Sequence, residues 1–168
     1  MKTTLQELTK SQREKIINFL RKHPVGALAT ISADGDPYAS AIYIAVDDEL
    51  TISFTTKNET AKYKNIVHHN KVSLVVFDPA SQTSVQVDGQ AVKIDDPYDQ
   101  QATFHSTIEA AKQTGGDTVP PIAKISAGQY VGFSIKIKTI SLSEYGWGNN
   151  TTRALEHAAD KPPTGDPA

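Results

Sequence analysis

The chain has 168 residues, of which 17 are Lys or Arg and 19 are Asp or Glu, so its formal net charge is −2. This length predicts one domain that buries a core without a metal or a disulfide. The absence of cysteine excludes disulfides and thiol chemistry, and the balanced charge argues against a nucleic-acid partner. The sequence has neither a signal-peptide layout nor an apolar run long enough for a membrane, so we expect a cytoplasmic protein.

The first predicted elements are a helix and a β-hairpin. The helix covers about residues 10–22, and Ser11 and Glu14 have the spacing of a capping box at its start. From residue 26 the apolar pattern changes to that of strands, which flank the turn sequence DGDP at 34–37. This part of the chain therefore predicts one helix followed by two antiparallel strands.

The rest of the chain alternates between strands and helices. Asn58 is the predicted N-cap of a helix, and Gly89 predicts a bulge or bend in a long, curved strand. Pro97 stands where a further helix would start. The predicted strands cover residues 50–56, 71–78, 83–95 and 130–142, and the predicted helices cover residues 58–70 and 97–114.

These elements predict a mainly β fold, an antiparallel β-barrel or sandwich with α-helical decorations. Closing a sheet into a barrel removes its exposed edges, which suits a chain with about six short strands and few long helices. We expect a single domain over residues 1–160. Residues 161–168 are rich in Pro, Gly and Asp without an apolar anchor, which predicts a disordered C-terminal tail.

Four segments between residues 26 and 94 carry a resemblance to a known family. They read GALATISADGDPYASAIYIAV, ISFTTKNETAKYKNI, NKVSLVVFD and SVQVDGQAVKI. In this order and spacing they resemble the pyridoxamine 5'-phosphate oxidase-like family of FMN-binding split barrels. The resemblance implies an antiparallel split β-barrel of the FMN-binding type and a homodimer with the flavin at its interface.

The junction after the third long strand combines hydroxyl, amide and ammonium groups at a predicted helix start. Free N–H groups and the positive end of the helix dipole favour a phosphate there, and the resemblance implies that it is the phosphate of FMN. In the alternative interpretation these residues are strand filler, a helix cap and solvated surface charges. The residues concerned are Thr55, Thr56, Lys57, Asn58, Thr60 and Lys62.

Further contacts are implied by the resemblance outside this junction. Ser84 and Gln86 share one face of a strand and are expected at the isoalloxazine edge, or else face solvent as ordinary strand residues. Trp147 is expected to stack on the flavin, or else to pack in the interior. Arg153 is expected to bind a substrate phosphate.

The chain also departs from the oxidases. Ser40, Ala45 and Ala61 stand where the resemblance places basic residues around FMN. We predict an FMN-binding oxidoreductase that acts on a small organic substrate, without assigned catalytic residues and without a metal site. The alternative is a non-enzymatic flavin, deazaflavin or heme binding protein with a storage, sensing or stress role.

Overall fold

The computed structural model describes residues 2–115 and 128–145, which form three α-helices and seven β-strands. A short 3₁₀ turn at Leu5–Glu7 precedes them. No helix in the described part of the chain is long and apolar enough to cross a membrane. The helices are α1 (Lys10–Lys22), α2 (Ala61–His68) and α3 (Pro97–Gly115), and the strands are β1 (Val25–Ile31), β2 (Pro37–Tyr43), β3 (Ala45–Val46), β4 (Ile52–Lys57), β5 (Lys71–Asp78), β6 (Thr83–Lys93) and β7 (Tyr130–Glu144).

The strands form one antiparallel sheet in the order β2-β1-β5-β6-β7-β4-β3. Its two edge strands, β2 and β3, are separated in the chain only by Ile44. Because one extended segment supplies both edges, the sheet must curl until its ends meet. The result is a split barrel with helices on its outside, which confirms the predicted fold class.

The core lies inside the curled sheet, and every second side chain of each strand points into it. Phe54 and Phe133 are opposite each other on β4 and β7, and their rings stack with centroids 5.5 Å apart. Helix α1 adds Ile16, Ile17 and Leu20 to the same cluster. Burial of this apolar surface is the main stabilising contribution to the fold.

Helix α1 begins and ends close to the predicted residues, but its cap is different. The side chain of Thr9 accepts a hydrogen bond from the backbone N–H of Gln12, and Gln12 Oε1 accepts one from the Thr9 N–H. The predicted pair Ser11 and Glu14 therefore lies inside the helix, at its second and fifth residues. Leu8 packs against the core, which fixes where the chain enters the helix.

The predicted bend at Gly89 is confirmed. The register between β6 and β7 shifts between Asp88 and Gly89. A Cβ atom at Gly89 would clash with the carbonyl oxygen of Lys136, so only glycine lets the two strands approach this closely. The predicted tail at residues 161–168 lies outside the described residues.

Candidate cofactor site

A cavity of about 190 Å³ lies where the end of β4 meets the start of α2. Strands β1 and β2 form its apolar wall, and α3 closes another side. We refer to it as the β4–α2 cavity. Its lining residues are Val25, Ala41, Ile42, Tyr43, Thr55, Thr56, Lys57, Thr60, Lys62 and Thr107.

Strand β4 supplies three consecutive buried polar residues to the lining of this cavity. Thr55, Thr56 and Lys57 are 6%, 3% and 3% exposed. Because side chains alternate along a strand, Thr55 and Lys57 share the outer face, whereas Thr56 points to the opposite side. Helix α3 packs over the strand and adds Thr107, so the outer face of β4 is covered although it is polar.

The turn from β4 into α2 is held by Thr60. Its hydroxyl donates to the carbonyl of Lys57 at 2.8 Å and accepts from the backbone N–H of Tyr63 at 3.3 Å. Because the one hydroxyl proton of Thr60 is used in this way, Thr56 must be the donor in the 3.0 Å contact between the two hydroxyls. Thr60 is thus the N-cap of α2.

The predicted cap, Asn58, has another role. Its backbone N–H donates to the carbonyl of Gln129, and its side-chain oxygen accepts from the N–H of Gln129 at 3.1 Å. Asn58 therefore ties the turn to the segment that leads into β7 and does not line the cavity. The prediction of Asn58 as the cap was wrong: Asn58 is engaged in this long-range pairing, and the cap lies two residues later, at Thr60.

The electrostatics of the β4–α2 cavity favour an anion. Lys57 and Lys62 both line it, and no carboxylate stands among its described lining residues. Neither lysine forms an ion pair within the described part of the chain. Burial lowers the pKa of Lys62, because the charged form of the amine loses hydration.

One hydroxyl of the cavity has no hydrogen-bond partner among the residues that the structure describes. Thr55 Oγ1 is buried without a hydrogen bond to any described residue. A buried hydroxyl without a partner is costly, so such an atom in a cavity lining marks a place where a ligand can bind. The first N–H groups of α2, at Ala61 and Lys62, likewise have no acceptor within the helix.

Ser84 and Gln86, two further candidate flavin contacts, do not meet this cavity within one chain. Ser84 and Gln86 lie half-buried on the outer face of β6, beside Phe77 and Val75 of β5. They are absent from the cavity lining. Trp147 and Arg153 lie outside the described residues, so their roles stay predictions.

Three further positions are those where the resemblance places basic residues around FMN, and they lie apart from each other in the structure. Ser40 lies on β2 with a buried hydroxyl that has no partner among described residues. Ala45 lines a separate groove beneath α3, and Ala61 is exposed at the first position of α2. None of the three lines the β4–α2 cavity.

Sequence reasoning missed two residues near the site. Thr107 enters the cavity because α3 packs on β4, which no local pattern indicates. Tyr130 is the cross-strand neighbour of Lys57, and its ring centroid lies 4.9 Å from Lys57 Nζ. Only the pairing of β4 with β7, which is distant in sequence, brings this aromatic ring to the lysine.

The curled sheet and the cavity beside β4 define a split-barrel protein. Residues 12–142 match the family model for pyridoxamine 5'-phosphate oxidase, so the chain belongs to the pyridoxamine 5'-phosphate oxidase family. The family predicted from the sequence is thereby confirmed.

Relatives with different names share parts of this chain. A curated pyridoxine/pyridoxamine 5'-phosphate oxidase of Synechocystis is 34% identical over 79 residues, which are 47% of this chain and only 36% of that enzyme. A conserved hypothetical protein of Mycobacterium tuberculosis superposes with a TM-score of 0.63 at 23% identity, covering 83% of this chain and 85% of that one. An F420 reductase superposes with a TM-score of 0.57 at 26% identity, covering 74% and 94%.

Proposed function

We propose that this protein is a flavoprotein that binds FMN non-covalently, with the phosphate in the β4–α2 cavity, and exchanges electrons between the flavin and a small organic substrate. The observation that carries the proposal is the convergence, where β4 leads into α2, of two ammonium groups and a buried hydroxyl that has no partner among the described residues. FMN, when bound, supplies the redox chemistry.

The residues present fit a phosphate monoester. Lys57 and Lys62 offer positive charge, Thr55 offers a hydroxyl with both a proton and lone pairs free, and the first turn of α2 offers N–H groups. Hydrogen bonds to a charged group each contribute about 1.5–3 kcal/mol. The two lysines thus supply charge that Ser40, Ala45 and Ala61 do not.

The size of the cavity indicates how much of FMN it holds. Pockets that enclose a drug-sized ligand measure about 300–1,000 Å³. A cavity of about 190 Å³ accommodates the phosphate and part of the ribityl chain. The isoalloxazine ring must then lie on surface outside the cavity. Val25 and Ala41 both line the cavity and are exposed on the outer face of the sheet, so they connect the cavity with that face.

We propose that a second copy of the chain supplies this surface as a homodimer. One row across the outer face of β2, β1, β5 and β6 consists of Ala41, Ala27, Val75 and Gln86. Val75 and the nearby Phe77 are 40% and 53% exposed, which makes this face apolar. In such a dimer Ser84 and Gln86 would lie at the interface, where the ring of a flavin held by the partner is within their reach.

The chain's own part in the reaction is binding, orientation and exclusion of water. To test for an enzyme, the purified protein is loaded with FMN and mixed anaerobically with NADH or NADPH. We expect the flavin absorbance to bleach and to return when an electron acceptor is added. The oxidoreductase proposal would be contradicted if neither NADH nor NADPH reduced the flavin and if no substrate in a screen with chemical mediators exchanged electrons with it.

A second candidate is a deazaflavin-binding protein, favoured by the 26% identity to an F420 reductase along 94% of that structure. Coenzyme F420 titrated in parallel with FMN separates the two proposals, since each ligand has its own absorbance. Tighter binding of F420 than of FMN favours this second candidate. A Soret band in the purified protein would instead indicate the heme-binding alternative.

A further inference from the structure

Lys57 is an unusual residue to find inside the β4–α2 cavity. Its side chain is 3% exposed, and no carboxylate pairs with it within the described part of the chain. A buried ammonium is costly unless something compensates for its lost hydration. The compensation that the structure offers is an aromatic ring.

That ring belongs to Tyr130, the direct cross-strand neighbour of Lys57. Lys57 Nζ lies 4.9 Å from the ring centroid, within the range of a cation–π interaction. Phe104 of α3 packs against the same ring with centroids 4.5 Å apart. Tyr130 is 37% exposed, so burial in the core does not account for its place.

We propose that Tyr130 is a positioning residue that holds the Lys57 ammonium at the β4–α2 cavity, where it binds the phosphate of the ligand. This inference rests on the proposed function. Lys57 has a long, flexible side chain at the end of its strand, and an exposed ring face limits the positions that its ammonium takes. The face of the ring is what acts on Lys57, so the hydroxyl of Tyr130 is not required for this role.

The test compares Tyr130→Leu, which removes the aromatic face, with Tyr130→Phe, which retains it. FMN and riboflavin, which lacks the phosphate, are titrated into each variant by flavin fluorescence. We expect Tyr130→Leu to weaken FMN binding about 5- to 30-fold, the range between a strong exposed and a desolvated cation–π interaction, and to leave riboflavin binding nearly unchanged. Tyr130→Phe should bind FMN like the wild type.

A double-variant comparison separates positioning from general damage to the fold. In a Lys57→Met background, Tyr130→Leu should produce no further loss of FMN affinity, because the charge that it positions is already gone. In the ligand-free protein, NMR should show an upfield ring-current shift of the Lys57 ε-methylene protons that Tyr130→Leu removes and Tyr130→Phe preserves.

The outcomes distinguish the two proposals. Wild-type protein that binds no FMN would overturn the proposed function and the role of Tyr130 with it. Two results would overturn the role of Tyr130 alone. One is equal FMN affinity of the wild type and Tyr130→Leu, and the other is that Tyr130→Leu lowers FMN affinity by the same factor in the wild-type and the Lys57→Met backgrounds.

Discussion

At the residue scale, the two lysines of the β4–α2 cavity are held in different ways. Lys57 is at the end of a strand, under α3 and over an aromatic ring. Lys62 is in the first turn of α2, where burial lowers its pKa. A bound phosphate would restore to both the electrostatic stabilisation that burial removes, which is why an anion is the expected ligand.

Substitution of Lys62 tests this assignment. Lys62→Ala removes a charge-assisted contact and should weaken FMN binding about 10- to 150-fold, and the added change Thr60→Ala should weaken it further. Lys64→Ala is the matched control, because Lys64 is an exposed lysine of the same helix outside the cavity lining. Flavin fluorescence titration measures all three variants, and unchanged affinity in Lys62→Ala would contradict the phosphate site.

The lowered pKa of Lys62 also predicts a pH dependence. The protonated amine binds phosphate and the neutral amine does not, so FMN affinity should fall as pH rises through this lowered pKa. Lys62→Arg should bind FMN without this decline, since a guanidinium stays protonated. FMN titrations from neutral to alkaline pH measure the effect. If FMN affinity fell equally in the wild type and in Lys62→Arg, the pH dependence would belong to another group.

At the element scale, the bulge in β6 lets the sheet curl. Gly89 lies where the register with β7 shifts, and the carbonyl of Lys136 occupies the space that a side chain would need. A bulge increases local twist, and this twist contributes to the curl that brings the cavity residues of β1 and β2 close to those of β4. The geometry of the cavity therefore depends on a residue outside it.

Gly89→Ala should destabilise the protein by about 1–3 kcal/mol, because a backbone atom must move to admit the methyl group. A loss of this kind lowers Tm by roughly 2–4 °C per kcal/mol for a chain of this size. Gln90→Ala is the control, because Gln90 is the exposed neighbour of Gly89 on the same strand, where a substitution changes stability little. Thermal unfolding followed by circular dichroism compares them; equal Tm values would contradict the close approach.

The sequence predicted most elements because their signals are local. Strands β4, β5 and β6 follow alternation of apolar residues, and Gly89 marks the bend. The caps of α1 and α2 were missed, because several polar residues before each of these two helices have suitable chemistry and long-range contacts decide among them. Asn58 pairs with Gln129, which leaves Thr60 to cap α2.

The site was partly predictable for the same reason. Thr55, Thr56, Lys57, Thr60 and Lys62 are close in sequence, and the structure brings all five to one cavity. The contributions from distant elements had no local signal. Those residues are Thr107 of α3 and Tyr130 of β7.

At the scale of the whole molecule, the outer face of β1, β2 and β5 is apolar and exposed. Small residues such as Ala27 and Ala41 make it flat enough for close approach, and Phe77 is 53% exposed on it. A face of this kind is unfavourable in water and favours association. The proposed homodimer buries this face and brings the same face of the partner beside the cavity.

Phe77→Asp should convert the dimer to a monomer and weaken FMN binding, because it introduces a charge into the interface. Val67→Asp is the matched control, since Val67 is 64% exposed on α2, away from this face. Light scattering coupled to gel filtration gives the mass of each. A monomeric wild type, or a dimeric Phe77→Asp variant, would contradict this interface.

The most direct test of the central claim, that the β4–α2 cavity binds a phosphate, is calorimetric titration of the wild-type protein with FMN and with riboflavin. The two ligands share the isoalloxazine ring and ribityl chain and differ only in the phosphate. We predict that FMN binds at least about 100-fold more tightly, as two charge-assisted contacts to lysine would require. Equal affinities for the two ligands would contradict the claim.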